Sequence, residues 1–215
     1  MKEYLQAGRF IDSGHARVVD FAKRHARGSN DRDKAIALYY AVRDEVRYHP
    51  FQNFTLDETY RASVCLERGT GWCVPKAALL AACARAAGIA ARVGYADVKN
   101  HLTTPELTAK MGGTDLFVYH GYTELYLGGK WVKATPAFNL GLCTRFRVKP
   151  LEFDGVNDSI FHPFDEDNRR HMEYVRERGA FTDVPAEAIK RAFGETYPRA
   201  FLLGPDAARQ TFAPA

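Results

Sequence analysis

The chain has 215 residues, 46% of them hydrophobic and 26% charged, proportions that suit one folded domain with a substantial core and exclude a disordered polymer. Its net charge of +4 comes from lysines and arginines interspersed with acids, so no basic run offers itself to nucleic acid. No apolar run approaches the length of a membrane span and the opening Met1 to Phe10 is charged, which reads as a cytoplasmic protein with no membrane and no nucleic-acid partner.

Taken in order, Ser13 is placed to cap a helix from Ala16 to His25, with Val18, Phe21 and Ala22 on one face. Gly28-Ser29-Asn30 breaks the chain, and Asp31 is placed to cap a second helix lined by Ala35, Leu38, Tyr39, Val42 and Val46. Pro50 ends it, because the residue before proline is pushed out of the α region. A loop through Gln52 and Asn53 and a short segment around Ser63 to Leu66 lead to a glycine turn at Gly69 and Gly71. Beyond Gly88 the period turns to alternation: Ala91 to Val98 reads as a strand, Asn100 to Gly113 as a loop, and Leu116 to Leu127 as the clearest strand. Gly128-Gly129 then turns the chain into Lys130 to Thr135, a β-hairpin. Alternation sets Leu116, Val118, His120, Tyr122, Glu124 and Tyr126 on one face of that strand. After it, the sequence predicts a short helix within Ala137 to Phe146, a strand at Leu151-Glu152-Phe153, and a polar helix from Asp165 to Arg178 ended by Gly179. A final helix through Ala188, Ile189 and Phe193 follows.

Between the glycine turn and Gly88 lies Gly69-Thr70-Gly71-Trp72-Cys73-Val74-Pro75-Lys76 and an Ala/Leu-rich run. Pro75 suits the first turn of a helix and Gly88 its end, so Cys73 falls at a helix start. A thiol there meets unpaired backbone N–H groups and the positive end of the helix dipole, which favour the thiolate and lower its pKa. The same N–H groups would hold the oxygen of a carbonyl under attack. A small apolar residue buried at a helix start is the competing reading. A nucleophilic thiol needs a base, and His120, on a strand 47 residues downstream, is a candidate that must meet it in space. An iodoacetamide-reactive Cys73 with its sulfur in reach of a His120 ring nitrogen is the expected outcome.

The order of these motifs resembles the core of the transglutaminase-like superfamily: Gly-Trp-Cys-Val, an Ala/Leu helix, Ala-Gly-Ile-Ala-Ala-Arg-Val, then His120-Gly121-Tyr122-Thr123-Glu124 and a hairpin to Trp131, over about residues 35 to 140. The resemblance implies an α+β, papain-like fold in which the cysteine-bearing helix packs on an antiparallel sheet. Length and residue pattern give a single domain over 1–203, with N-terminal helices at 13–48, a catalytic core at 60–140, an extension at 141–203 and, past Leu203, a tail at 204–215 with two prolines and few core-sized residues that frays or lies over the body. Carried over by position, Cys73 is the nucleophile and His120 the general base and acid of an acyl transfer at an amide bond of a peptide or protein, free of cofactors: water as acceptor makes a peptidase or amidase, the first reading, and an amine makes a transglutaminase, a choice the residues leave open. The family's third residue is usually an aspartate, and that position holds Thr135; Asn139 is the alternative orienter. A relative that has lost catalysis and binds a peptide in the same cleft is the second reading, motivated by that missing carboxylate.

Around this pair, Trp72 is a candidate for walling the site or orienting the acyl oxygen, and Tyr122, Glu124 and His101 for lining a substrate cleft. Tyr122 and Glu124 read equally as braces of the sheet, and His101 as a solvated loop histidine. His162 and His171 with Asp165, Glu166 and Asp167 match no metal-site spacing and read as a charged surface segment. Cys65, Cys83 and Cys143 read as reduced core or bystander thiols.

Overall fold

A computed structural model describes residues 1–101, 103–161, 164, 165, 167 and 169–203. The chain forms, in order, helices α1 (Ala16–His25) and α2 (Asp31–Glu45), the short strand β1 (Arg47–Tyr48), α3 (Ala62–Arg68), β2 (Thr70–Gly71), α4 (Cys73–Ala86), β3 (Ala91–Asn100), α5 (Pro105–Lys110), β4 (Leu116–Leu127), β5 (Lys130–Ala134), α6 (Leu140–Phe146), β6 (Met172–Phe181), α7 (Ala186–Thr196) and α8 (Arg199–Leu202). The first two caps lie a step from the expected ones. The His15 ring accepts the Arg17 N–H, and Asn30 Oδ1 accepts the Asp33 N–H at 2.9 Å, because a capping side chain sits just before the first helical residue.

Helix α4 is the axis of the molecule. Every residue from Cys73 to Arg85 is buried, so its alanine-rich surface is apolar all round, as a helix enclosed on every side requires. It packs against α1, α2 and α3 on one side and against β3 and β4 on the other. The cost of this enclosure falls on Lys76. Its fully buried Nζ donates to the Arg43 carbonyl at 2.9 Å and to that of Val46, satisfying the C-terminal end of α2, while burial pulls its pKa down to about 7.

The main sheet has the order β5-β4-β3-β6 with antiparallel neighbours. Gly128 and Gly129, at φ 57° and 85°, make the two-residue turn between β4 and β5, a backbone that suits the twist of a hairpin and that side-chain-bearing residues resist. Strands β1 and β2 pair in parallel, Tyr48 opposite Gly71, which draws the end of the second helix alongside the residues that lead into α4.

Three expectations for individual elements are corrected. The polar helix from Asp165 to Arg178 is replaced by strand β6, which pairs with β3. As the outer strand of the sheet it exposes Glu173, Val175, Arg176 and Glu177, and the charges that keep a sheet edge soluble imitate a polar helix in the sequence. Leu151 to Phe153 is not a strand: the Leu151 carbonyl is taken by the Tyr39 hydroxyl and the Arg43 guanidinium, each at 2.8 Å. The loop after Asn100 contains α5, whose start is capped by Thr104 with Pro105 in its first turn. The expectations for His162, Glu166 and the tail at 204–215 lie outside the described residues. Among the described residues no helix is long and apolar enough to cross a membrane.

Candidate active site

Cys73 is the first residue of α4, with Trp72 as its cap. The strand that carries His120 touches it directly. A Cβ built on Gly121 would lie 3.0 Å from Val74 Cα and 3.3 Å from the carbonyl carbon and oxygen of Cys73, so a residue with a side chain would drive the strand off the helix. With glycine there, the Gly121 N–H reaches the Cys73 sulfur, together with the N–H groups of Val74 and of Cys73 itself. These donors pull the thiol pKa down, as a helix start should. Burial outweighs them and pushes it up to about 12, so the expectation of a lowered thiol pKa is corrected: the resting group is a thiol.

The strand is distorted where it presents His120. Ala96 pairs with His120 while Val98 pairs with Phe117, so Asp97 alone faces Val118 and Tyr119, a β-bulge in β4. Tyr119 takes the left-handed conformation, φ 55°, which is costly for an aromatic residue and persists only where its surroundings hold it. Here the holder is Asp97. Its buried Oδ1 accepts the Tyr119 N–H at 3.0 Å, and both its oxygens bind Arg178, whose guanidinium lies over the Tyr119 ring at 4.7 Å. Tyr197 ties down the residues just before: its hydroxyl accepts the Val118 N–H at 2.9 Å and donates to the Leu116 carbonyl at 3.0 Å.

His120 is buried against Phe161, edge to face at 5.0 Å between ring centres. Burial, with a smaller contribution from His171, lowers its pKa to about 3, so the ring is neutral. Among the described residues its Nε2 has no hydrogen-bond partner, and neither has the buried Trp72 Nε1. Cys73, His120 and Trp72 line one cavity, whose other walls are aromatic and aliphatic side chains from Tyr48 to Phe201. The cavity volume is about 30 Å³, room for one or two water molecules. The cover comes from Phe193, Tyr197 and Phe201 of α7, α8 and their junction.

The remaining candidates sit elsewhere. The buried Thr135 hydroxyl donates to the Ser159 carbonyl at 2.9 Å, and Asn139 Oδ1 accepts the Tyr48 N–H at 3.1 Å. Neither side chain bonds to His120. Tyr122 and Glu124 lie across the sheet from Gly121 and Thr123, the latter bonding to Ala77 of α4. Tyr122 donates to Glu177 at 3.1 Å, and Glu124 pairs with Arg92 at 2.5 Å, whose guanidinium covers Trp131 at 4.2 Å. They brace the sheet. His101 meets Glu173 at 3.2 Å at the surface. His171 is buried near Phe161, and Asp165 binds Arg169. Among the described residues no group of three or more His, Cys, Asp or Glu side chains is arranged to hold a metal ion, and the four cysteines are free and buried.

What the sequence did not signal is the bulge, its Asp97 clamp, and the cover from α7 and α8. Gly121 was visible as a glycine inside a strong strand pattern, a known mark of close backbone approach.

The family model of the transglutaminase-like superfamily matches residues 19–136, more than half of the chain, and the protein belongs to that superfamily. No curated protein matches the sequence. Among solved structures, the chain is similar to a "putative cysteine protease" from Cytophaga hutchinsonii with a TM-score of 0.53 and 16% identity, a likeness of fold. The alignment covers 86% of this chain and 48% of that one, so this chain corresponds to about half of that protein's length.

Proposed function

We propose that this protein is a thiol enzyme that hydrolyses an amide bond of a peptide or protein by acyl transfer through Cys73 and His120. The observation that carries the reading is the shared cavity, in which a thiol at a helix start and a buried imidazole with an unpartnered Nε2 line the same small space. As the sulfur attacks the carbonyl carbon, Nε2 takes the thiol proton, so no thiolate need exist beforehand. The Trp72 N–H is a donor for the oxygen that becomes negative. Nε2 then returns the proton to the departing amine, the C–N bond breaks, and a thioester stays on Cys73. Water, deprotonated by the same nitrogen, releases the acid and restores the thiol. No cofactor enters these steps, and a cytoplasmic setting is part of the reading.

The second reading, a relative that only binds a peptide in this cleft, is favoured by one observation: His120 has no carboxylate partner among the described residues. Mass spectrometry of a mixed peptide substrate, with and without an added primary amine, separates the outcomes. New carboxyl ends that vanish in Cys73→Ala support hydrolysis, and amine adducts that vanish in it support transfer instead. An unchanged peptide mixture supports the binding protein.

A further inference from the structure

We infer that the cavity at Cys73 selects an amide whose acyl carbon carries a short, uncharged hydrocarbon group. The inference rests on the acyl-transfer reading and specifies its substrate class. In that chemistry the amine departs while the acyl group stays on the sulfur, so the space around Cys73 must house the acyl group.

That space has a definite character. Leu107, Met111, Phe117, Val118, Phe193 and Phe201 supply much of its wall, and among the described residues no Asp, Glu, Lys or Arg lines it. The Tyr197 hydroxyl is spent on the β4 backbone. A charged acyl group would leave water and find no counter-charge, which costs several kcal/mol or more. Two buried polar atoms without partners come with the same wall, a donor at Trp72 Nε1 and an imidazole nitrogen at His120 Nε2. An amide fits both in turn, its carbonyl oxygen accepting from Trp72 and its nitrogen taking the proton that His120 has received from the thiol. At about 30 Å³, the room of one or two water molecules, the cavity favours the shortest chains, and an aromatic ring needs the cover to move.

Three methanethiosulfonates of similar length test this on the whole protein: propyl, 2-sulfonatoethyl and 2-(trimethylammonio)ethyl. Each transfers its thioalkyl group to the cysteine sulfur and releases methanesulfinate. Rates at Cys73 and Cys143 are read by peptide mass and normalised to free cysteine. The expected result is that Cys73 prefers the propyl reagent to both charged ones by at least about tenfold, the discrimination of a desolvated apolar pocket, and by more than the equally buried Cys143 does. Leu107→Lys should then speed the sulfonate reagent at Cys73 alone. A preference at Cys73 no greater than at Cys143 overturns the inference. His120→Ala separates it from the reading beneath: an intact propyl preference with no change in rate would retain the pocket and reject the catalytic pair.

Discussion

Two regions beside the central sheet treat their polar atoms in opposite ways. On the face away from α4, Glu124 is matched by Arg92, Tyr122 by Glu177, and Lys133 by Glu177 at 3.2 Å. Around Cys73, the Trp72 and His120 nitrogens are buried and unmatched, although leaving such groups unpaired costs about 1–3 kcal/mol each. Two such atoms beside a thiol in one cavity leave room for the polar groups of a ligand to complete the set. The paired region is a brace, and the unpaired one is the candidate site.

The largest effect that sharpens this contrast is on turnover. Cys73→Ala should lower amide hydrolysis by at least about a thousandfold, as loss of a nucleophile does, while Tyr122→Phe should stay within about threefold of wild type. Comparable losses in a peptide-cleavage assay would erase the distinction between the two regions. Next comes the clamp beneath His120. Asp97→Ala removes one member of a buried pair and should cost about 3 kcal/mol in urea unfolding. Tyr119→Gly in the same protein should recover part of it, since glycine accepts φ 55° without strain. If Tyr119→Gly recovers nothing, the bulge is not what Asp97 maintains.

These two devices also mark the limit of what the sequence reveals. Helix α4 and the β4–β5 hairpin were legible because their signals are local: an apolar run bounded by Pro75 and Gly88, and strict alternation ending in Gly128-Gly129. Motif order grouped Cys73 with His120, and both line one cavity. Asp97 was invisible because its effect depends on a register shift between two strands, a property of neither strand alone. Alternation also grouped His120 with Leu116 and Val118, and the bulge breaks that run by inserting a residue just before the histidine. Strand β6 was misread because an edge strand is selected for charge. Thr135 was chosen by counting from Trp131, and the sequence does not show that Ser159 would claim its hydroxyl.

Smaller effects belong to the brace. Glu124→Gln should cost about 2 kcal/mol of stability, the worth of a buried hydrogen bond to a charged group, and leave Cys73 alkylation unchanged. A slowed alkylation would tie the brace to the site. Thr135→Val should cost about 1 kcal/mol through the lost bond to Ser159, again with unchanged alkylation. A rate that falls with that substitution would restore Thr135 as a partner of His120.

The claim that Cys73 and His120 work as one unit is tested most directly by the pH dependence of iodoacetamide alkylation at Cys73 in wild type and His120→Ala. With the thiol pushed up to about 12 and the imidazole down to about 3, both groups keep one protonation state across the neutral range. A base at His120 that removes the proton during attack therefore gives a rate nearly independent of pH between about 5 and 8. Without it only the thiolate reacts, and below its pKa the rate should climb about tenfold per pH unit. The predicted result is a flat profile for wild type, and for His120→Ala a steep one at least about tenfold slower near pH 6. Coincident profiles in the two proteins would contradict the pair.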